Sequence, residues 1–203
     1  LSFWQQLAEQ WNAQSGWEVV AVILAIAYVW LAARQHIACW PCALVSTAIY
    51  SWLFWDNTLP MQAALNVYYL LMALYGWWHW RKGNQERGLP VSRQSKTFHG
   101  LMIIGCLMVS LSMAYGLSWV FISDYLYLDA LVTVFSLYAT YLMTQKVLEN
   151  WVYWVVIDAL AAWLYWQTGL YLTSILFIGY LGFAVYGLIQ WYDSMPERTA
   201  NAT

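Results

Sequence analysis

The first residue able to do chemistry is a carboxylate in the middle of an apolar stretch, Asp158, with Asp129 near the start of the preceding one. A charge at membrane depth is costly enough to mark a functional site by default. On helices, Trp151, Trp154 and Asp158 fall at i, i+3 and i+7 and share a face, and Gln62, Asn66 and Tyr69 fall at i, i+4 and i+7 and share another. Aromatic rings beside carboxylates suit a flat neutral or cationic ring, by stacking and cation–π attraction. The amides of Gln62 and Asn66 suit an amide or sugar hydroxyls. Such groups also glue helices together without any ligand. Two stripes on different helices favour a cavity.

Other eye-catching residues carry less. Cys39-Trp40-Pro41-Cys42 has the spacing of a redox dithiol, but that motif needs a βαβ setting, and here it opens an apolar helix. Structural thiols are the better reading, with a membrane redox enzyme as the rival from another class. Three cysteines make neither a zinc site nor a disulfide framework, and no metal or cofactor is expected. His36 and His99 sit at loop edges, and His79 ends a span among tryptophans as an interface residue.

The elements that must position these residues are apolar helices. The chain has 203 residues, 63% hydrophobic, 19% aromatic and 9% charged, with a mean hydropathy of +0.52. That composition excludes an ordinary soluble domain, and nucleic-acid binding with it. Seven spans are expected, at 17–33, 38–56, 61–80, 98–119, 125–145, 149–167 and 170–192. They are apolar on every face, unlike the alternating strands of a membrane barrel. Leu1 to Ser15 lacks the basic start and long apolar run of a signal peptide. It reads as a short amphipathic helix at the interface or a frayed terminus.

Arg34, Arg81, Lys82, Arg87, Arg93, Lys96, Lys146 and Arg198 all fall on one side of seven spans, which places the N-terminus outside and the C-terminus inside. Glu9, Glu18, Asp56 and Asp124 lie opposite. Because no Lys or Arg falls inside a span, a phosphate dianion would find nothing to neutralise it. Trp17, Trp80 and Trp191, at span ends, read as interfacial belt anchors.

The chain also repeats. A shift of 111 residues aligns Trp40 with Trp151, Trp52 with Trp163, Trp55 with Trp166, Tyr75 with Tyr186, Gly76 with Gly187 and Trp80 with Trp191. Spans one to three thus correspond to spans five to seven, a parallel repeat with the fourth span as inverting linker. The expected segments are an interfacial 1–16, a first repeat 17–80, a solvated basic loop 81–97, a linker helix 98–124, a second repeat 125–192 and a tail 193–203. This 3+1+3 plan for an all-α integral membrane protein belongs to transporters. The positions matching Gln62 and Asn66 are Thr173 and Phe177, so the halves differ where an asymmetric ligand needs them to.

Gln62-Ala-Ala-Leu-Asn66-Val-Tyr-Tyr69 running into Tyr75-Gly76-Trp77-Trp78-His79-Trp80, then Asp129-Ala-Leu-Val-Thr133, Glu149-Asn150-Trp151-Val-Tyr-Trp154 with Asp158, and Tyr186-Gly187 ending at Trp191 resemble the PnuC-type vitamin B3 transporters. The resemblance runs from about Trp17 to Trp191. It implies a SWEET-like seven-helix transporter in a bacterial inner membrane, taking up nicotinamide riboside, with a homo-oligomer, a trimer, as its assembly. Relatives of this kind that carry thiamine or riboflavin leave the exact vitamin open, and a SWEET-type sugar carrier rests on architecture alone. The substrate is expected near the midplane against Gln62, Asn66, Trp151, Trp154 and Asp158, with Tyr69, Asp129, Thr133 and Tyr180 completing the site. Facilitated diffusion is expected, since Pro41 and Pro60 stand at span ends and no unwound helix offers carbonyls to sodium. Proton symport through Asp158 is the rival. Trapping would need a separate cytoplasmic kinase, since the chain has no phosphate-binding GxxxxGK[ST] loop.

Overall fold

In the computed structural model, residues 2–57, 60–82, 89–120, 122 and 124–195 are described. Among them are eight helices: α1 (Phe3–Asn12), α2 (Gly16–Ala33), α3 (Cys39–Asp56), α4 (Pro60–Lys82), α5 (Lys96–Ser118), α6 (Leu126–Thr144), α7 (Asn150–Gln167) and α8 (Tyr171–Asp193). By length and composition α2, α5, α6 and α8 are apolar enough to cross a membrane. α3, α4 and α7 match them in length, at 18, 23 and 18 residues. Their tryptophans, tyrosines and polar residues lower their hydropathy.

The N-terminal segment is helical. Ser2 and Ser15 each close a capping box, with Gln5 and Glu18, so α1 and α2 start on satisfied backbone donors. Gln10 ties α1 to the α7–α8 turn: its amide donates to Gly169 O (2.7 Å) and its carbonyl accepts from Leu172 N (2.9 Å).

Burial is arranged as bilayer solvent demands. Ala21, Ala32, Ala33, Ala114, Ala139, Ala161 and Ala184 are all but fully buried, whereas Ile23, Leu71, Leu101, Ile104, Met108 and Ile178 lie on the outside. Small residues let helices approach closely, while lipid tails accept the large aliphatic ones at no cost.

α2 packs on α3 and α3 on α4; α6 packs on α7 and α7 on α8; α2 against α8 and α4 against α6 join the two sets. Positions 111 apart do the same jobs. Trp40 lies against the backbone at Gly76 as Trp151 does at Gly187. Trp80 Nε1 donates to Thr144 O (3.2 Å) and Trp191 Nε1 to Ala32 O (3.0 Å), so each set's last helix grips the end of the other set's first. This corrects the belt-anchor reading of Trp80 and Trp191, which are 5% and 0% exposed. A buried indole N–H needs an acceptor, and the frayed end of a neighbouring helix provides one. Trp17 is exposed, as a belt residue would be.

Gln35 and Lys146, also repeat-related, both adopt left-handed backbone, with φ of 57° and 50°. They meet: Lys146 Nζ donates to Gln35 Oε1 (3.2 Å) and sits 4.5 Å from the Trp80 ring centroid. Lys146 lies in the turn after α6, and burial lowers its pKa from 10.5 to about 8. An unfolded chain keeps that proton up to about pH 10.5, so between about 8 and 10.5 it binds more protons than the folded chain, and stability rises with pH. Raising the pH from about 7 to about 9.5 should therefore add about 2 kcal/mol from this group. Thermal unfolding in detergent should show that increment in the wild type and lose it in Lys146→Met; equal pH responses would refute it.

Part of the 81–97 segment departs from the solvated loop that its composition suggests. Ser92 N donates to Lys146 O and Leu148 N to Ser92 O, both at 2.9 Å, Val91 is buried, and Arg93 pairs with Glu149 at 3.0 Å. Main-chain bonds to the α6–α7 turn hold it, and α5 starts at Lys96, within the expected loop. Residues 83–88, with Arg87, and the tail beyond 195, with Arg198, lie outside the described residues.

Candidate binding cavity

Between the two sets of helices lies a cavity of about 310 Å³. α4 contributes Gln62, Leu65, Tyr69 and Ala73, one face at i, i+3, i+7 and i+11. Asn66 is one residue off that face. It lies outside the cavity wall, its Nδ2 donating to Gln62 O on its own helix (3.0 Å). α6 contributes Asp129, Val132, Thr133, Ser136, Thr140 and Met143, and α7 contributes Trp151, Trp154, Asp158 and Tyr165. Phe177, Tyr180 and Ala184 come from α8. Of the residues singled out in the sequence, Gln62, Tyr69, Asp129, Thr133, Trp151, Trp154, Asp158 and Tyr180 thus line one space, and Asn66 does not.

The wall from α2 and α3 escaped sequence reasoning: Ala25, Tyr28, Val29, Trp40, Ala43, Ser46 and Thr47. The repeat could have found it. Trp40 matches Trp151, Thr47 matches Asp158, Ala43 matches Trp154, and across the cavity Tyr69 matches Tyr180 and Ala73 matches Ala184. The frame is thus shared between the halves and its chemistry is not. Both cavity carboxylates stand on the α6–α7 side: Thr47, which matches Asp158, carries a hydroxyl, and Glu18 on α2, which matches Asp129, is not among the lining residues.

Asp158 is 4% exposed. Among the described residues no hydrogen bond or ion pair to it is formed, and no Lys, Arg or His of theirs lines the cavity. A buried carboxylate without a partner is among the costliest arrangements a protein can hold, and a cationic guest relieves it. Trp154, one turn earlier on α7, places a ring beside it, the pairing that favours a flat cation. Cys39 and Cys42 are both free, and Cys39 is buried in the first turn of α3.

Residues 15–193 match the nicotinamide mononucleotide transporter family. The nicotinamide riboside transporter PnuC of Escherichia coli is 24% identical over 211 residues, covering 91% of this chain and 88% of the relative. The riboflavin/roseoflavin transporter RibM of Streptomyces davaonensis is 25% identical over 193 residues, covering 88% of each chain. The crystal structure of the vitamin B3 transporter PnuC superposes with a TM-score of 0.73 at 22% identity, covering 97% of this chain and 91% of that one. The shared fold is therefore that of a transporter, and the redox-enzyme reading of the cysteine pair falls away.

Proposed function

The chain belongs to the nicotinamide mononucleotide transporter family, and from that premise we propose that this multi-pass membrane protein carries nicotinamide riboside by facilitated diffusion. The observation that carries the choice of substrate is Asp158, buried and unpartnered one helical turn from Trp154 in a cavity that no cation among the described residues lines. Nicotinamide riboside is a pyridinium cation with a carboxamide and a ribose. Its positive ring meets Asp158 and the Trp154 face, and its amide meets Gln62. Riboflavin, suggested by the relative RibM, is neutral and would leave Asp158 uncompensated. Thiamine shares the positive charge but lacks the ribose and carboxamide.

In this reading α2 to α8 are seven spans in a SWEET-like parallel repeat, with α5 as the inverting linker. Arg34, Arg81, Lys82, Arg93, Lys96 and Lys146 mark the cytoplasmic face of a bacterial inner membrane, and three copies assemble as a trimer. Accumulation is completed by a separate cytoplasmic kinase.

Purified protein in liposomes tests the proposal. Radiolabelled riboside should equilibrate to equal concentrations inside and out, and should be displaced poorly by thiamine and riboflavin. Uphill accumulation driven by an imposed proton or sodium gradient would overturn facilitated diffusion. Tighter binding of riboflavin or thiamine than of riboside would overturn the substrate.

A further inference from the structure

We propose that the outward face of α4, at its C-terminal end, is a binding site for an anionic phospholipid, with Arg81 and Lys82 holding the headgroup phosphate. This rests on the seven-span reading above, in which α4 crosses the bilayer, and not on the choice of substrate. Leu74, Trp77, Trp78, Arg81 and Lys82 line a surface hollow of about 320 Å³ that shares no residue with the central cavity. They recur at i, i+3, i+4, i+7 and i+8, so a single helix face builds it.

The two ends of this face differ in chemistry. At the helix end, Lys82 Nζ stands 3.8 Å from the ring centroid of Trp78, which is itself exposed, and neither Arg81 nor Lys82 forms an ion pair among the described residues. Two adjacent cations without a carboxylate leave a place for a phosphate. Below them, indole rings suit the headgroup level. Further along, the face turns aliphatic, with Val67, Leu71 and Leu74 all exposed. Leu71 lies eleven residues before Lys82, about 16 Å along the helix axis, which is close to half the thickness of a bilayer's hydrocarbon core. A diacyl lipid fits such a track, with its charge at the surface and its chains along the aliphatic side chains. A soluble anion has no use for them.

The repeat supplies a comparison within the chain. A shift of 111 residues carries this face onto Val185, Leu188, Ile189, Tyr192 and Asp193 of α8. Val185 and Ile189 are exposed, as Leu74 and Trp78 are, so the two faces look outward alike. The chemistry is not alike. Both tryptophans and both cations are gone from α8, and an aspartate stands where α4 has Lys82. Trp80 and Trp191, by contrast, match across the same shift and make the same kind of bond. The inner positions of these helices are thus shared between the halves, and the outer face of α4 alone is equipped to choose among headgroups.

Cations at span ends also set orientation without binding anything, so the test must separate the two roles. Native mass spectrometry of the detergent-solubilised protein, titrated with phosphatidylglycerol or with phosphatidylcholine of the same acyl chains, does so. The wild type should retain phosphatidylglycerol about tenfold more tightly. Arg81→Gln/Lys82→Gln should lose that preference, whereas Arg34→Gln/Lys96→Gln, which removes two charges from the same membrane face, should keep it. Equal retention of both lipids by the wild type would overturn the proposal, as would equal loss of preference in both double variants, which would make it a matter of net charge. Glycerophosphoglycerol, the headgroup without chains, should not compete where the lipid saturates; competition would assign the hollow to a soluble anion. A changed subunit number in Arg81→Gln/Lys82→Gln would mark the face as a contact between copies of this chain, and would also overturn the site. The span itself is checked apart from lipid. In a cysteine-free background, Asn57→Cys and Lys82→Cys should react with an impermeant thiol reagent from opposite sides of sealed vesicles, and reaction from one side would overturn the seven-span reading together with this site.

Discussion

Adding one methyl group at Gly76 or at Gly187 is expected to destabilise the protein by about 3 kcal/mol or more, the upper end of what overpacking does. A Cβ at Gly187 would stand 2.6–2.7 Å from Cε2, Cδ2 and Cζ2 of Trp151, and one at Gly76 would overlap the six-membered ring of Trp40. Contacts this short require movement, and each indole, backed by the ring of Trp80 or Trp191, could yield only by giving up its packing and moving into the cavity it lines. Intrinsic helix preference pulls the other way, since alanine is better than glycine inside a helix by about 1 kcal/mol. The clash is larger, so the sign is set by sterics. Gly105 on α5 meets nothing within 4 Å at its Cβ, and Gly105→Ala should be neutral or slightly stabilising. Thermal unfolding in detergent compares the three. Near-wild-type midpoints for Gly76→Ala and Gly187→Ala would show that the indoles are not held as described. Combining Gly76→Ala with Trp40→Leu should lose less stability than the sum of the single changes, because removing the ring removes the clash.

The same two glycines show how far the sequence could be read. Their spacing of 111, shared with four pairs of tryptophans, announces the repeat. The reason for it, a ring pressed on backbone in each half, appears only in three dimensions. Helix positions were legible to within a few residues because apolar runs about as long as a bilayer is thick leave little choice. Three things were not. Asn66 was grouped with Gln62 by an i, i+4 step, whereas the cavity face steps by three to Leu65 and then by four to Tyr69; periodicity near 3.6 does not choose between those neighbours. The 89–95 segment is polar and reads as solvated, but its order comes from main-chain bonds with residues 146 and 148, which composition does not encode. Trp80 and Trp191 sit where belt residues sit, and only the carbonyls of Thr144 and Ala32 mark them as buried braces.

Nicotinamide mononucleotide, for which the family is named, is expected to bind at least about a thousandfold more weakly than the riboside, a difference of about 4 kcal/mol. The two ligands differ by one phosphate, which carries close to two negative charges at neutral pH. Entering the cavity, it would lose its water and meet no Lys, Arg or His among the described residues, with Asp129 and Asp158 lining the same space. Desolvating an unpaired anion costs several kcal/mol before any repulsion is added. Competition binding with the purified protein measures the ratio, and mononucleotide affinity within tenfold of the riboside would contradict this account of the cavity. Asp158→Asn sharpens the comparison. The riboside should lose its counter-charge and weaken by at least tenfold, while the mononucleotide, whose identical ring loses the same counter-charge as its phosphate loses one repulsion, should stay weak. The ratio between the two ligands should therefore shrink mainly from the riboside side. Under facilitated diffusion this selectivity also sets the direction of net flow. With the separate cytoplasmic kinase proposed above, the phosphorylated riboside would be a ligand that the cavity rejects, and the reversible pathway proposed for the riboside would not carry it back out.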